Sequence, residues 1–284
     1  MRIKKDWTLW LHEYRTEELN RIFSGCPEGL FATGLELGAG DGFQGTLLTK
    51  YVSRLVETEI DPAILSLPPR QSVEYRVCDA EEVGGCFGEQ EFDLVFSSNL
   101  LEHLPNAGKA LHGMRGVMKD DGLMIHVMPT PFWKACQLAF YVPDRFVSLL
   151  ERITTRRGAQ RGTSEETGME SSEAPHEADN NPKTSRRRHG RAYRLFLPEP
   201  HGVSSGHLQE FFAFRQSRWR KEFDQADLRL IDVRKGPVAS AYGFGLDFAR
   251  RALERLGFAS EYIYFATKKG HASPHGRHFC LRRS

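Results

Sequence analysis

Three alternate glycines follow an apolar run in Gly34-Leu35-Glu36-Leu37-Gly38-Ala39-Gly40-Asp41-Gly42, where a strand ending at Leu37 should turn sharply into a helix. Glycines at that spacing let the backbone take positive φ and approach a ligand closely, and Glu36 at the strand end can receive a cationic or hydroxyl-bearing group. One helix length later, Arg54-Leu55-Val56-Glu57-Thr58-Glu59-Ile60 reads as a second strand ending in Glu59, with Asp61-Pro62 just beyond. A carboxylate closing the second strand of a doubly wound sheet can accept hydrogen bonds from both hydroxyls of a ribose. A third strand, Val73 to Ala80, closes on Cys78-Asp79-Ala80. A fourth, Phe92 to Asn99, closes on Ser97-Ser98-Asn99 before a helix begins at Leu100. Acids at successive strand ends beside a glycine loop point to a nucleotide-like cofactor.

Two other readings compete. A glycine cluster after a strand is often a tight turn, but the acids downstream argue against so local a role. A nicotinamide-binding Rossmann domain also closes its second strand with an acid, yet its fingerprint is Gly-x-Gly-x-x-Gly and here the third glycine comes one residue early. Glu57 reads as a solvated strand residue, Asp93 as a structural cap, and Glu102 and His126 as structural.

From Leu30 to Pro129 the order of these motifs, with Asn99-Leu100-Leu101-Glu102-His103-Leu104, resembles the class I S-adenosylmethionine-dependent methyltransferases, in the methyltransferase type 11 branch that contains the ubiquinone-biosynthesis O-methyltransferases. Lys119-Asp120-Asp121-Gly122 departs from the family's Lys-Pro-Gly-Gly before the fifth strand, at a turn away from the cofactor. The resemblance implies an α/β fold: a Rossmann-like seven-stranded sheet, mostly parallel with an antiparallel last strand, and helices on both faces. It implies S-adenosyl-L-methionine as cofactor. Gly38, Gly40 and Gly42 would line the methionine and ribose portions and Glu36 would act on the methionine amino group. Glu59 would hold the ribose hydroxyls, with Asp61 a neighbouring alternative. Asp79 and Ala80 would reach the adenine, and Ser98 and Asn99 would lie beneath the sulfonium.

The remaining elements must position this edge. Leu9 to Phe23 reads as an amphipathic helix with Leu11, Tyr14, Leu19 and Ile22 inward, Ala107 to Met118 as another, and Leu123 to Met128 as a buried fifth strand ended by Pro129 and Pro131. The aromatic stretch Phe132 to Pro143 and a helix from Arg145 to Ile153 follow, which either simply pack on the domain or form a lid in which Trp133, Phe140 and Tyr141, helped by Lys134, Arg145 and Arg152, would meet an apolar acceptor or a membrane surface. Residues 155–191 are rich in charge and nearly devoid of aliphatic side chains and read as a disordered linker. A helix from His207 to Phe223, a sixth strand from Leu228 to Val233, a helix from Tyr242 to Leu256 and a seventh strand from Glu261 to Thr267 complete the pattern. The domain reading is therefore residues 1–130 with the cofactor site, an insertion over 131–206, the rest of the catalytic domain over 207–270, and a flexible tail over 271–284. The tail holds His271, His275, His278 and Cys280, without a closed metal-ligand set.

Composition bounds the class. The chain has 284 residues, 40% of them hydrophobic, enough for a sizeable core, and a formal charge of only +2, which gives no general reason to invoke nucleic acid. Five cysteines without a Cys-x-x-Cys pair suit a reduced cytosol. The apolar run near the N-terminus stops at His12-Glu13, too soon for a signal peptide, and no stretch reaches the roughly 18 apolar residues of a spanning helix. The expected function is methyl transfer to a small organic, lipid-linked or glycan-linked acceptor, at oxygen, in the cytoplasm and with peripheral membrane contact. His103, which follows the fourth strand, and His201, in Pro198-Glu199-Pro200-His201-Gly202, are the candidate catalytic bases. The alternative is a non-catalytic cofactor-binding regulatory protein of the same fold.

Overall fold

A computed structural model describes residues 4–63, 67–159, 198, 204, 206–239, 242–244 and 246–279, with the backbone alone over 152–159. Its described elements run α1 (Trp7–Ile22), β1 (Phe31–Leu37), α2 (Phe43–Leu48), β2 (Val52–Glu59), β3 (Val73–Val77), α3 (Val83–Cys86), β4 (Phe92–Ser98), α4 (Ala107–Val117), β5 (Met118–Pro129), α5 (Pro131–Ala159), α6 (His207–Ala213), α7 (Gln216–Gln225), β6 (Leu228–Lys235), α8 (Asp247–Arg255) and β7 (Glu261–Lys268). Short 3₁₀ turns cover Ala80–Glu82, Leu101–His103 and Pro274–His278. His201 and most of the expected linker lie outside the described residues, although α5 continues to Ala159.

Apolar runs build the sheet. Leu94, Val95 and Phe96 of β4 and Leu123, Met124 and Ile125 of β5 are fully buried, as strands covered on both faces require. The seven strands lie in the order β3-β2-β1-β4-β5-β7-β6, and β7 runs antiparallel between β5 and β6, which is the expected seven-stranded architecture. Strand order reverses between β1 and β4, so a crevice opens at their carboxyl ends, where ligands of such sheets bind. One face packs Leu35, Val56, Leu111, Met114, Trp219 and Phe223. The other packs Leu19, Ile22, Phe31, Leu55, Phe265 and Phe279.

Several expectations are corrected. The helix expected over His207 to Phe223 is two helices, because the chain turns at Phe214 and Arg215 to bury Phe214, whose ring meets Trp133 edge-on at 6.1 Å. Pro143 does not end the lid helix: α5 is continuous through it, and Lys4 pins the following turn by donating to Asp144 at 2.5 Å and Ser148 at 2.8 Å. Lys119 to Gly122 is the start of β5 rather than a turn, with a register shift against β4. Two of the cysteines are not free thiols, because α3 brings Cys86 back over the end of β3 and a disulfide joins it to Cys78.

The expected flexible tail is ordered over 271–279. Phe279 is fully buried, with ring centroids 5.2 Å from Phe265 and 5.7 Å from Phe23. One phenylalanine in a short, histidine-rich tail carries too little periodicity to announce such docking. Phe279→Ala should therefore destabilise the fold by about 3–5 kcal/mol, as for other large-to-small core changes, measured by denaturant titration. A truly mobile tail would leave the midpoint unchanged.

Candidate cofactor and active site

The glycine loop takes the shape its sequence demands. Gly38, Gly40 and Gly42 have φ of +72°, +57° and +71°, and the amides of Gly38 and Ala39 both donate to Thr58 O at 2.9 Å, which anchors the loop to the end of β2. A Cβ on Gly40 would meet nothing within 4 Å, so the loop faces open space. Glu59 points at the loop: its Oε2 accepts from Gly40 N at 3.2 Å and its Oε1 from Ile60 N at 2.8 Å. Asp61 is exposed and accepts from Ala63 N at 2.9 Å, closing its own turn. Of the two acids, Glu59 is the one beside the glycines.

Glu36 lies below the loop, 2% exposed, with Oε2 lacking a hydrogen-bond partner among the described residues. Burial, with the Glu57 charge next, holds its carboxyl well above the usual range. Glu57 is not solvated as expected. It is fully buried under α2, where Arg70 Nη2 reaches its Oε2 at 2.6 Å and burial pushes it up to about 7 against the pull of that guanidinium. Arg70 Nη1 also donates to Gly42 O at 2.9 Å, tying the β2–β3 connection to the glycine loop. Gly45 makes room for this pair, since a Cβ there would lie 1.7 Å from Glu57 Oε1.

Asp79 and Ala80 open the 3₁₀ turn after β3, with Asp79 Oδ1 accepting from Glu81 N at 2.9 Å and the Cys78 amide donating to Glu59 O at 3.0 Å. Ser98 and Asn99 end β4. Asn99 takes φ of +50°, and its backbone N–H donates to Val127 O at 2.9 Å. His103 lies in the next 3₁₀ turn on this edge, its Nε2 3.9 Å from Glu102 Oε1. The structure thus gathers Glu36, the three glycines, Glu59, Asp79, Ala80, Ser98, Asn99 and His103 along one sheet edge.

Sequence reading missed the polar face of α1 that covers this edge. His12 Nε2 lies 2.7 Å from Asp41 Oδ2, and its ring stacks on Phe43 with centroids 3.8 Å apart. Arg15 and Glu18 follow at helical spacing and bond Ser98 and Glu261 beyond it. The signal was present in the steps of three from His12 to Glu18, which share one helix face.

The lid aromatics face the domain rather than solvent. Tyr141 is 6% exposed, Phe140 packs on Phe244 at 5.6 Å, and Lys134 is fully buried in an ion pair with Glu210, so it cannot serve a membrane surface. Val142, Phe146, Leu149 and Leu150 are the large apolar side chains that α5 exposes among the described residues. No helix among the described residues is long and apolar enough to cross a membrane, and no group of His, Cys, Asp and Glu among them is arranged to hold a metal.

A methyltransferase domain family matches residues 35–126, the span from β1 into β5. Ubiquinone biosynthesis O-methyltransferases of Rhodopseudomonas palustris and Hydrogenovibrio crunogenus are 25% and 23% identical over 148 and 128 residues. Those stretches are 49% and 43% of this chain and 56% and 53% of theirs, so the chain spans a little over half the length of the curated relatives it matches. Among solved structures, a chain of the complex between the Haloferax volcanii Trm112 methyltransferase activator and a protein described as a methyltransferase superposes with a TM-score of 0.52 at 12% identity, over 90% of this chain and 91% of that one. A Listeria monocytogenes protein described as an S-adenosylmethionine-dependent methyltransferase gives 0.50 at 14% identity, over 89% of this chain and 99% of its own.

Proposed function

We propose that this chain, which carries a class I methyltransferase domain, transfers a methyl group from S-adenosylmethionine to an oxygen of a small organic, lipid-linked or glycan-linked acceptor. The observation that carries the reading is the glycine loop at positive φ, held open to one side and facing Glu59 at the sheet's switch point. The unpartnered, buried Oε2 of Glu36 fits a ligand ammonium. Oxygen as the receiving atom is supported by the relatives' description as O-methyltransferases.

In this reading Glu59 holds the ribose hydroxyls, Asp79 and the Ala80 amide meet the adenine, Glu36 meets the amino group, and Ser98 and Asn99 border the reacting atoms. When bound, the cofactor supplies a methyl carbon already activated by a sulfonium. The chain's part is therefore alignment and exclusion of water, which can account for much of the barrier reduction. His103, on the same edge, takes the acceptor's proton, and His201 is the second candidate for that role. An apolar acceptor tail or membrane surface would meet Val142, Phe146 and Leu149 of α5, beside Arg145.

Incubation of the protein and a metabolite extract with methyl-labelled cofactor, followed by mass spectrometry, tests the activity. A labelled product that requires His103, with release of S-adenosylhomocysteine, is the expected result. Bound cofactor with no labelled product from any extract would contradict it.

A further inference from the structure

Two buried carboxyl groups share one guanidinium at the carboxyl end of β4. Glu18 of α1 and Glu261 at the start of β7 are 0% and 4% exposed, and Arg15 Nη1 donates to Glu18 Oε2 at 2.7 Å and to Glu261 Oε1 at 3.3 Å. The other hydrogen-bond partners of the pair are neutral, and the buried Glu36 carboxyl also feels the Glu18 charge. Gln44 Nε2 and Ser98 Oγ donate to Glu18 Oε1 at 2.9 and 3.1 Å, and Asn99 Nδ2 donates to Glu261 Oε1 at 2.9 Å. The Tyr14 hydroxyl donates to Pro237 O at 3.1 Å and lies close enough to feel the charges of both Glu261 and Glu18. Glu261 Oε2 is left without a hydrogen-bond partner among the described residues.

One guanidinium neutralises one carboxylate, and a second buried negative charge is strongly unfavourable unless a proton or a ligand cation balances it. Burial, with the Glu18 charge next, holds the Glu261 carboxyl well above the usual range, which favours a proton as the balance in the ligand-free chain. The place is suited to a cation from the cofactor, because Glu261 pairs with Pro129 at the carboxyl end of β5 and is bonded to Asn99 at the carboxyl end of β4. We propose that Glu261, paired with Glu18, is a charge-reading subsite for the sulfonium, by which the chain distinguishes S-adenosylmethionine from the neutral thioether of S-adenosylhomocysteine. This rests on the cofactor reading above and adds a residue and a selectivity to it. It gives the charge lost on methyl transfer a direct consequence, weaker holding of the product.

Calorimetric titration of S-adenosylmethionine, S-adenosylhomocysteine and sinefungin, whose amine-bearing carbon replaces the methylsulfonium, into wild type and Glu261→Gln tests this. The variant should lose about tenfold or more in affinity for the two cationic ligands and stay within about twofold for S-adenosylhomocysteine, whose retained binding shows that the site is folded. The wild-type chain offers a second readout that needs no variant. Titrations in buffers of different ionisation enthalpy should show more proton release on binding S-adenosylmethionine than on binding S-adenosylhomocysteine, because Glu36 meets the amino group that both ligands carry and only the first brings a second cation. Equal proton release by both, or affinity changes in Glu261→Gln that are absent or equal for all three ligands, would overturn the proposal. A wild-type chain that binds none of the three would instead overturn the cofactor reading.

Discussion

Glu59→Ala is expected to weaken S-adenosylmethionine binding by about tenfold or more, the scale of losing paired, charge-assisted hydrogen bonds. Glu59 is the acid whose carboxylate faces the glycine loop, accepting from Gly40 N at 3.2 Å, whereas Asp61 closes its own turn. Asp61→Ala is therefore the control, with affinity near that of wild type. Gly40→Val should be at least as severe, because it forces a branched residue to φ of +57° and fills the open side of the loop. Calorimetry on variants with unchanged melting temperature reads both effects. Wild-type affinity in Glu59→Ala, or a larger loss in Asp61→Ala, would remove Glu59 from its assigned role.

Lys134→Met should lower stability by about 3–5 kcal/mol, the range for leaving one member of a buried ion pair without its partner. Lys134 and Glu210 are both fully inaccessible and join α5 to α6, and burial pulls the Lys134 ammonium down against the attraction of Glu210. Gln137 Oε1 accepts from Lys134 Nζ at 2.6 Å, and His207 Nδ1 lies 3.3 Å from Glu210 Oε2, so the pair sits in a small polar knot. The melting temperature should fall by on the order of 10 °C. The double variant Lys134→Met, Glu210→Leu should recover most of that loss, because replacing both charges removes the desolvation penalty as well as the attraction. A single variant as stable as wild type would mean that the lid helix is not held to the domain by this pair.

The residues that were legible in the sequence are those whose physics is local. Apolar runs such as Phe92 to Phe96 and Leu123 to Met128 announced buried parallel strands, and the glycine spacing announced its own positive φ values. The insertion of β7 between β5 and β6 was expected only from the family resemblance. Buried charge was not legible. Glu18, Glu57, Glu261 and Lys134 look like solvated residues in one dimension, because their burial depends on partners up to 246 positions away, as Arg15 is from Glu261. The break at Phe214 and the docking of Phe279 were hidden for a related reason: each is decided by a cavity that only the folded sheet and its helices create. Within the candidate site, the acids at strand ends were readable and the face of α1 above them was not, since its polar residues share the helix with the apolar ones that packing demands.

The central claim is that the crevice above β1 and β4 takes S-adenosylmethionine. Equilibrium titration of the wild-type chain with S-adenosylmethionine and, separately, with a nicotinamide dinucleotide tests it most directly. Saturable binding of one S-adenosylmethionine per chain, lost in Gly40→Val and undisturbed by excess dinucleotide, is the predicted result. Binding of the dinucleotide with none of S-adenosylmethionine would contradict the account.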